Sequence, residues 1–267
     1  MDRQRLYRTE ALILHHADFG EADRLLTIYT PYLGRLRLLA KGARKPTSRK
    51  AGHLEPFTYV NLFVARGQNL DIVSQVETLE AFRPLREDLE RASLAYYLAE
   101  LIASCTAEGD ENRPLFDLVL ATMRRLCQAE DTLLVVRFFE LRALGLLGYQ
   151  PQLHFCVTCQ ARLEPVTNYF CPAAGGVLCP QHGEGVPDAL ALSLATFKVL
   201  RFMQTHDWDQ VAGIRLRPET HLELEAVLQR YVVYLLERQL KSVEFVYRLR
   251  RERKTISAPR GRNIDGA

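Results

Sequence analysis

The sequence predicts an α+β, multidomain fold: a small five-stranded β-barrel at the N-terminus, then a helical domain with an inserted metal-binding knuckle. Three observations carry this expectation. Short apolar or alternating segments separated by turn residues fill the first eighty or so positions. Apolar stripes at three- and four-residue spacing fill most of the remainder. Residues 149–188 lose both periods and hold most of the cysteines, together with Pro and Gly.

Glu10–His15 is an apolar run, and Arg24–Thr30 is rich in β-branched and aromatic residues, so each reads as a strand. A turn at Pro31 and Gly34 leads into Arg35–Lys41, where Arg35 and Arg37 alternate with Leu36 and Leu38. Period two puts both arginines on one face and both leucines on the other. Phe57–Val64 is apolar on both faces, with Phe57, Tyr59 and Phe63 in one register and Val60, Leu62 and Val64 in the other. The turn at 65–69 opens a fifth strand, Leu70–Leu79. Five strands with no helix to cover a sheet suit a small closed barrel, for which the oligonucleotide-binding (OB) fold is the commonest five-strand solution. This domain spans 1–82.

A helical domain follows over 83–250. Arg91–Ala107, Pro114–Ala129 and Thr132–Leu147 are helices, with Asp131 or Thr132 as a cap and Gly148 as a stop. Ser193–His206 is another, capped by Ser193. The last is expected from about Glu219 to Arg250, its buried stripe formed by Leu222, Val227, Leu228, Tyr231, Leu235 and Leu236. The knuckle occupies 151–185, and 251–267 reads as a basic disordered tail.

The 267 residues are 48% hydrophobic and 25% charged, the balance of an ordinary globular protein. The net charge of +3 conceals clustering. Between Gly34 and Arg66 eight basic residues face one acid, Glu55, and a second basic run extends from Arg248 to Arg262. Such clusters suit a polyanion. No apolar run approaches the ~20 residues that cross a bilayer, and no signal peptide is evident, so a cytoplasmic location and no membrane partner are expected. In that compartment cysteines serve metal binding or burial in preference to disulfides.

Cys156-x-x-Cys159 and Cys179-x-x-His182 form two chelating pairs at zinc-ribbon spacing, each offering two soft ligands from one tight turn. A structural Zn2+ is expected, held by Cys156, Cys159, Cys179 and His182, with Cys171 as the alternative fourth ligand and His154 nearby. Cys105 and Cys127 sit on helices among apolar neighbours and read as core. His182-Gly-Glu184 has the H-x-E form of zinc deaminases, but there a P-C-x-x-C follows, whereas here the CxxC comes first. Four protein ligands also leave no open position for a catalytic water. A zinc hydrolase or deaminase is therefore the weakest reading, and no catalytic residues are assigned.

Residues 41–50 form a five-cation loop leaving the strand that bears Arg35 and Arg37. Flexible cations of this kind neutralise phosphates and release counterions. The expected DNA-binding set is Arg24, Arg35, Arg37, Lys41, Arg44, Lys45, Arg49 and Lys50. Tyr29 or Tyr32 is the better candidate for stacking on bases, while Phe57 and Phe63 fit a core. An RNA- or ribosome-associated OB protein is the alternative binding reading. No P-loop, dinucleotide fingerprint, zincin motif or nucleophile elbow is present.

The strings Gly20-Glu-Ala-Asp-Arg-Leu-Leu-Thr27, Gly34-Arg-Leu-Arg37, Ala40-Lys-Gly-Ala-Arg-Lys45, Ser48-Arg49 and Leu54-Glu-Pro-Phe57 resemble the N-terminal barrel of the RecO family of recombination mediators. The resemblance continues through Cys156-x-x-Cys159 and Tyr169-Phe-x-Pro-x-x-Gly-Gly-Val-x-Cys179, to about residue 245. It implies DNA repair and recombination: binding of single- and double-stranded DNA, annealing of complementary strands and, with RecR, loading of RecA onto DNA covered by single-strand-binding protein. It also implies recruitment by the acidic, aromatic-tipped C-terminal tail of single-strand-binding protein. The helical domain is the expected host for that tail, through Leu and Phe side chains interleaved with Arg124, Arg125, Arg137, Arg142 and Arg201. His182 stands where the family commonly has cysteine, and Cys171 where it commonly has serine.

Overall fold

The computed structural model describes residues 5–246 and Arg248. Strands β1 (Leu6–Phe19), β2 (Asp23–Thr30), β3 (Gly34–Ala40), β4 (Tyr59–Ala65) and β5 (Asp71–Glu80) close into a barrel in the order β1-β2-β3-β5-β4. All neighbours are antiparallel except β3 and β5, which run parallel. Alternation sets the faces as expected for β3: Leu36 and Leu38 point inward with Ile13, Leu26, Ile28, Val60, Leu62 and Val64, and the two arginines point out. The loop 41–58 turns under the barrel and plugs its end with Ala43 and Leu54.

Two strands differ from expectation at their ends. β1 runs from Leu6 to Phe19, far beyond the apolar Glu10–His15, because a register shift between Ile13 and His15 lets it pair with β4 along one half and β2 along the other. Phe57 precedes β4 and has φ 61°, so it does not share the Tyr59 and Phe63 register. It is buried, whereas Phe63 is half-buried on the outer face with the Arg8 guanidinium 5.9 Å from its ring centroid.

The helical part comprises α1 (Pro84–Glu87), α2 (Leu89–Cys105), α3 (Arg113–Gln128), α4 (Thr132–Leu146), the single turns α5 (Pro180–Gly183) and α7 (Trp208–Val211), α6 (Leu194–Thr205) and α8 (Pro218–Leu236). Asp131 caps α4 by accepting from Leu134 N–H, and Ser193 caps α6 by accepting from Thr196 N–H. Barrel and helices share an apolar core. Leu12, Leu14 and Tyr29 from the barrel's outer side, with Phe57 and Phe82, pack into the cluster built by α2 and α3. Tyr29 meets Phe116 at a ring distance of 5.8 Å, and Phe57 meets Tyr96 edge-on at 4.7 Å.

The final helix is shorter than its periodicity predicts. It stops at Leu236, where Glu237 takes the left-handed conformation (φ 53°), and a separate helical stretch covers 241–246. The break is fixed from a distance: the Glu100 carboxylate on α2 accepts from the N–H groups of Lys241 and Ser242, which is a cap supplied by another helix. The expected tail, 251–267, lies outside the described residues.

Residues 149–188 hold more order than their lost periodicity implies. Strands β6 (Asn168–Cys171) and β7 (Gly176–Leu178) pair with each other, and β6 also pairs with β8 (Leu190–Leu192). This small sheet packs with α4, α6 and α8 around Phe170, Phe197, Leu224 and Leu228 in a second core.

Candidate nucleic-acid interface and metal centre

The outer face of β1, β2 and β3 is the part of the barrel that the helices leave partly open. Register places His15, Thr27 and Arg37 in one row across these strands, and Tyr29 beside Arg35 in the next. Arg37, Lys41, Lys45 and Arg49 are exposed and make no ion pair among the described residues. Arg35 is half-buried beside Tyr29. The other three expected contacts also make bonds within the protein. Arg24 pairs with Glu55 at 2.9 Å with its side chain 18% exposed. Arg44 pairs with Asp18 at 3.3 Å and donates to the carbonyls of Gly20 and Glu21. Lys50 Nζ donates to the Val73 carbonyl at 3.2 Å. The expected cations that are exposed and without an ion pair among the described residues thus lie along β3 and its following loop.

Tyr29 is fully buried against Phe116, so it cannot receive a base. Tyr32 is 54% exposed, with the Arg113 guanidinium 5.8 Å from its ring centroid. Three apolar residues not singled out in the sequence also face outward here: Phe19, 47% exposed at the end of β1, and the half-buried Leu25 and Leu39. The available signal was strand parity. Both leucines occupy positions opposite in phase to the inward Leu26, Ile28, Leu36 and Leu38.

The metal centre grows from two tight turns. The first turns back at Gln160, which has φ 60° and donates its N–H to the Cys156 carbonyl at 2.9 Å. Val157 N–H donates to Val177 O and fixes this knuckle against β7. The second is the one-turn helix α5, in which His182 N–H donates to Cys179 O at 3.0 Å and Pro180 sits at the start. One donor atom from each of Cys156, Cys159, Cys179 and His182 lies within 4.8 Å of all the others. Cys159 and Cys179 sulfurs are 3.9 Å apart, and His182 Nδ1 is 3.2 Å from Cys179 Sγ. Zn–S bonds of about 2.3 Å in a tetrahedron place sulfurs about 3.8 Å apart, so the three-sulfur, one-nitrogen set fits that ion in both chemistry and size. Burial pushes the Cys156 thiol up, but N–H groups of Cys159, Cys179 and Thr158 aimed at it more than offset this and hold it down to about 6. Cys179 is pushed up by burial and by the neighbouring Cys156 and Cys159 sulfurs, a crowding that a cation would relieve.

Cys171 lies on β6 in the second core, outside this cluster. His154 Nδ1 faces Arg201 at 3.1 Å. Cys105 and Cys127 pack against the first core, and burial pushes the Cys105 thiol up to about 11. Of the arginines expected on the helical domain, Arg137 is buried in an ion pair with Glu140 at 3.0 Å, and Glu140 also accepts from Tyr97 OH. Arg125 lies over Trp208 (5.0 Å) and Phe138 (5.5 Å). Arg124 pairs with Glu80 and Arg142 with Asp207. No helix among the described residues is long and apolar enough to cross a membrane.

Comparison with known proteins adds two family matches and three relatives. Residues 1–82 match the family described as "Recombination protein O N terminal", and residues 86–244 match "Recombination protein O C terminal". A protein of Roseiflexus sp. (strain RS-1) named "DNA repair protein RecO" is 45% identical over 96% of this chain and 90% of its own length. Proteins of the same name from Desulforudis audaxviator and Pelotomaculum thermopropionicum are 38% and 36% identical over 91% of this chain, which covers 97% and 94% of theirs.

Proposed function

Because this chain belongs to the RecO family of DNA repair and recombination proteins, we propose that it is a mediator without catalytic turnover, binding single- and double-stranded DNA on the outer face of its barrel. The observation that carries this reading is the set of exposed cations, Arg37, Lys41, Lys45 and Arg49, on β3 and its loop. Unpaired cations on one strand and a loop track a phosphate backbone and bind with little sequence preference. Annealing then needs no chemical step: two strands whose charge is neutralised are held close enough to pair.

The Cys156, Cys159, Cys179 and His182 set holds a structural Zn2+ in this reading. Four protein donors close the coordination shell, which supports a folding role and leaves no site for an activated water. The partners in this reading are RecR, the C-terminal tail of single-strand-binding protein and, through them, RecA. A pocket between α3, α4 and α7, lined by Arg125, Leu134, Trp208, Ala212 and Arg215, offers the tail an aromatic wall and cations, although Glu130 and Asp131 also border it. The protein acts in the cytoplasm at the nucleoid.

The direct test is annealing of two complementary, dye-labelled oligonucleotides, bare and then coated with single-strand-binding protein. The full chain is expected to accelerate pairing in both cases. Equal affinity for a matched single-stranded RNA would favour an RNA-binding role, and no acceleration on bare DNA would refute the reading.

A further inference from the structure

We propose that the bases of a bound single strand lie on an apolar strip across the barrel's outer face, formed by Phe19, Leu25, Leu39 and Ile72, with phosphates held by Arg37 and Lys41 on its two sides. This rests on the reading of the barrel as a DNA-binding surface and names where on it the bases go.

The strip follows from register. Ala17 pairs with Leu25, Leu25 with Leu39, Leu39 with Ile72, and Ile72 with Ala65, so one row across all five strands is apolar on its outer side. From Ala17 to Ile72 are three strand spacings of about 4.8 Å each, or about 14 Å. Phe19 stands two residues beyond Ala17 on β1, on the same face, and is 47% exposed. Leu25, Leu39 and Ile72 are half-buried, yet they pack against none of the three apolar cores among the described residues. A contiguous outward apolar row, rimmed by polar residues and joined to no core, is the kind of surface that marks an interaction site.

Charge decides the occupant. The row on one side of the strip carries Arg37 and His15, and at its other edge β3 runs into Lys41, with Lys45 in the following loop. Arg37, on β3, and Lys41, the first residue after it, are both exposed and four positions apart, so they lie beyond opposite edges of the strip. The acids of this region are largely engaged: Asp23 accepts from Gly42 N–H at 2.7 Å and Asp18 pairs with Arg44, while Glu21 is exposed in the β1–β2 turn. An apolar strip with cations on both sides matches a single strand, whose bases are flat and apolar on their faces and whose phosphates are anionic. Duplex DNA keeps its base faces stacked inside and meets the cations alone. Aliphatic contacts to base faces are weak and undirected, and they leave the pairing edges free for a complementary strand.

The experiment measures affinity of the full chain for a dye-labelled oligothymidylate and for an abasic oligomer of the same length, by fluorescence anisotropy. Leu25→Gln with Leu39→Gln is expected to weaken oligothymidylate binding about 5- to 20-fold and to change abasic binding less than twofold. Phe19→Ser, at an exposed site where the fold tolerates change, is expected to act in the same direction. A variant that loses both probes equally, or neither, overturns the strip. Unchanged DNA binding with loss of a protein partner in pull-down would make the strip a protein interface and also overturn it. Arg37→Gln with Lys41→Gln tests the underlying reading separately, since it should weaken both oligomers. If those changes leave both affinities intact, the DNA-binding face itself is misplaced.

Discussion

The N–H of Arg35 donates to the carbonyl oxygen of Ala107 at 3.0 Å, which stitches the start of β3 to the segment that follows α2. Gly109 N–H returns a bond to Leu33 O, and Gly34 forms an isolated bridge with Glu108. The strand that presents Arg35 and Arg37 is thereby anchored to the helical region, and the outer face of the barrel is held in fixed relation to it.

Gly34 makes this junction possible. It has φ +64°, and a Cβ there would collide with Ala107 O and stand 2.9 Å from Asp110 N. Gly34→Ala is expected to destabilise the protein by more than the ~1–3 kcal/mol typical of a left-handed non-glycine residue, because backbone must also move. Gly20→Ala is the control: φ is +56° but nothing lies within 4 Å, so the cost should stay near ~1 kcal/mol. Urea titration of both variants checks the difference, and equal losses would contradict it.

The metal centre predicts about one Zn2+ per chain by elemental analysis, and loss of both metal and stability in Cys156→Ser or Cys159→Ser, since binding energy at a structural site is folding energy. His182→Cys should retain the ion, and His182→Ala should weaken it. Cys171→Ser should leave the metal content unchanged, because Cys171 lies outside the cluster. Metal lost from Cys171→Ser but kept in His182→Ala would reverse the ligand assignment.

Arg137 and Glu140 are 2% and 0% exposed, so neither charge has water to fall back on. Removing one partner leaves the other buried: Arg137→Met is expected to cost about 3–5 kcal/mol, whereas Arg137→Met with Glu140→Leu should recover only part of that loss, because Glu140→Leu also takes the acceptor from the buried Tyr97 hydroxyl. A double-mutant cycle by chemical denaturation measures the coupling.

Burial pushes the Asp131 carboxyl up, but the His221 ring at 3.1 Å and the α4 N–H groups of Leu134 and Leu133 outweigh it and hold the pKa below its ordinary value. A carboxyl lowered by folding adds stability above its unfolded pKa, about 4, and loses that contribution as pH falls through the folded value. Asp131→Asn can still cap the helix, so it removes chiefly the charge. Wild type should exceed this variant by about 0.5–1 kcal/mol at pH 6, with the gap closing below about pH 4. A gap that widens on acidification would contradict the assignment.

Much of this architecture is legible in local pattern. The five barrel strands, the caps Asp131 and Ser193 and the convergence of the two knuckles follow from parity, capping chemistry and ligand spacing, each written within a few residues of where it acts. What eluded the sequence depends on distant partners. Glu237 breaks the last helix beside a cap supplied by Glu100, more than a hundred positions earlier. Tyr29 looks like an exposed barrel aromatic until Phe116 covers it. Arg24, Arg44 and Lys50 are indistinguishable in sequence from Arg37 and Lys41, and only the folded positions of Glu55, Asp18 and the Val73 carbonyl separate structural cations from available ones.

The central claim, that exposed cations of β3 and its loop hold the phosphate backbone, is tested most directly by the salt dependence of single-stranded DNA binding. Reversing Arg37, Lys41 and Lys45 to Glu removes three phosphate contacts. Each contact contributes about 0.7 to the slope of log K against log salt, so the slope should flatten by about 2 and affinity should fall across all sequences. A triple variant with wild-type slope and wild-type affinity would contradict the account and place the DNA elsewhere on the molecule.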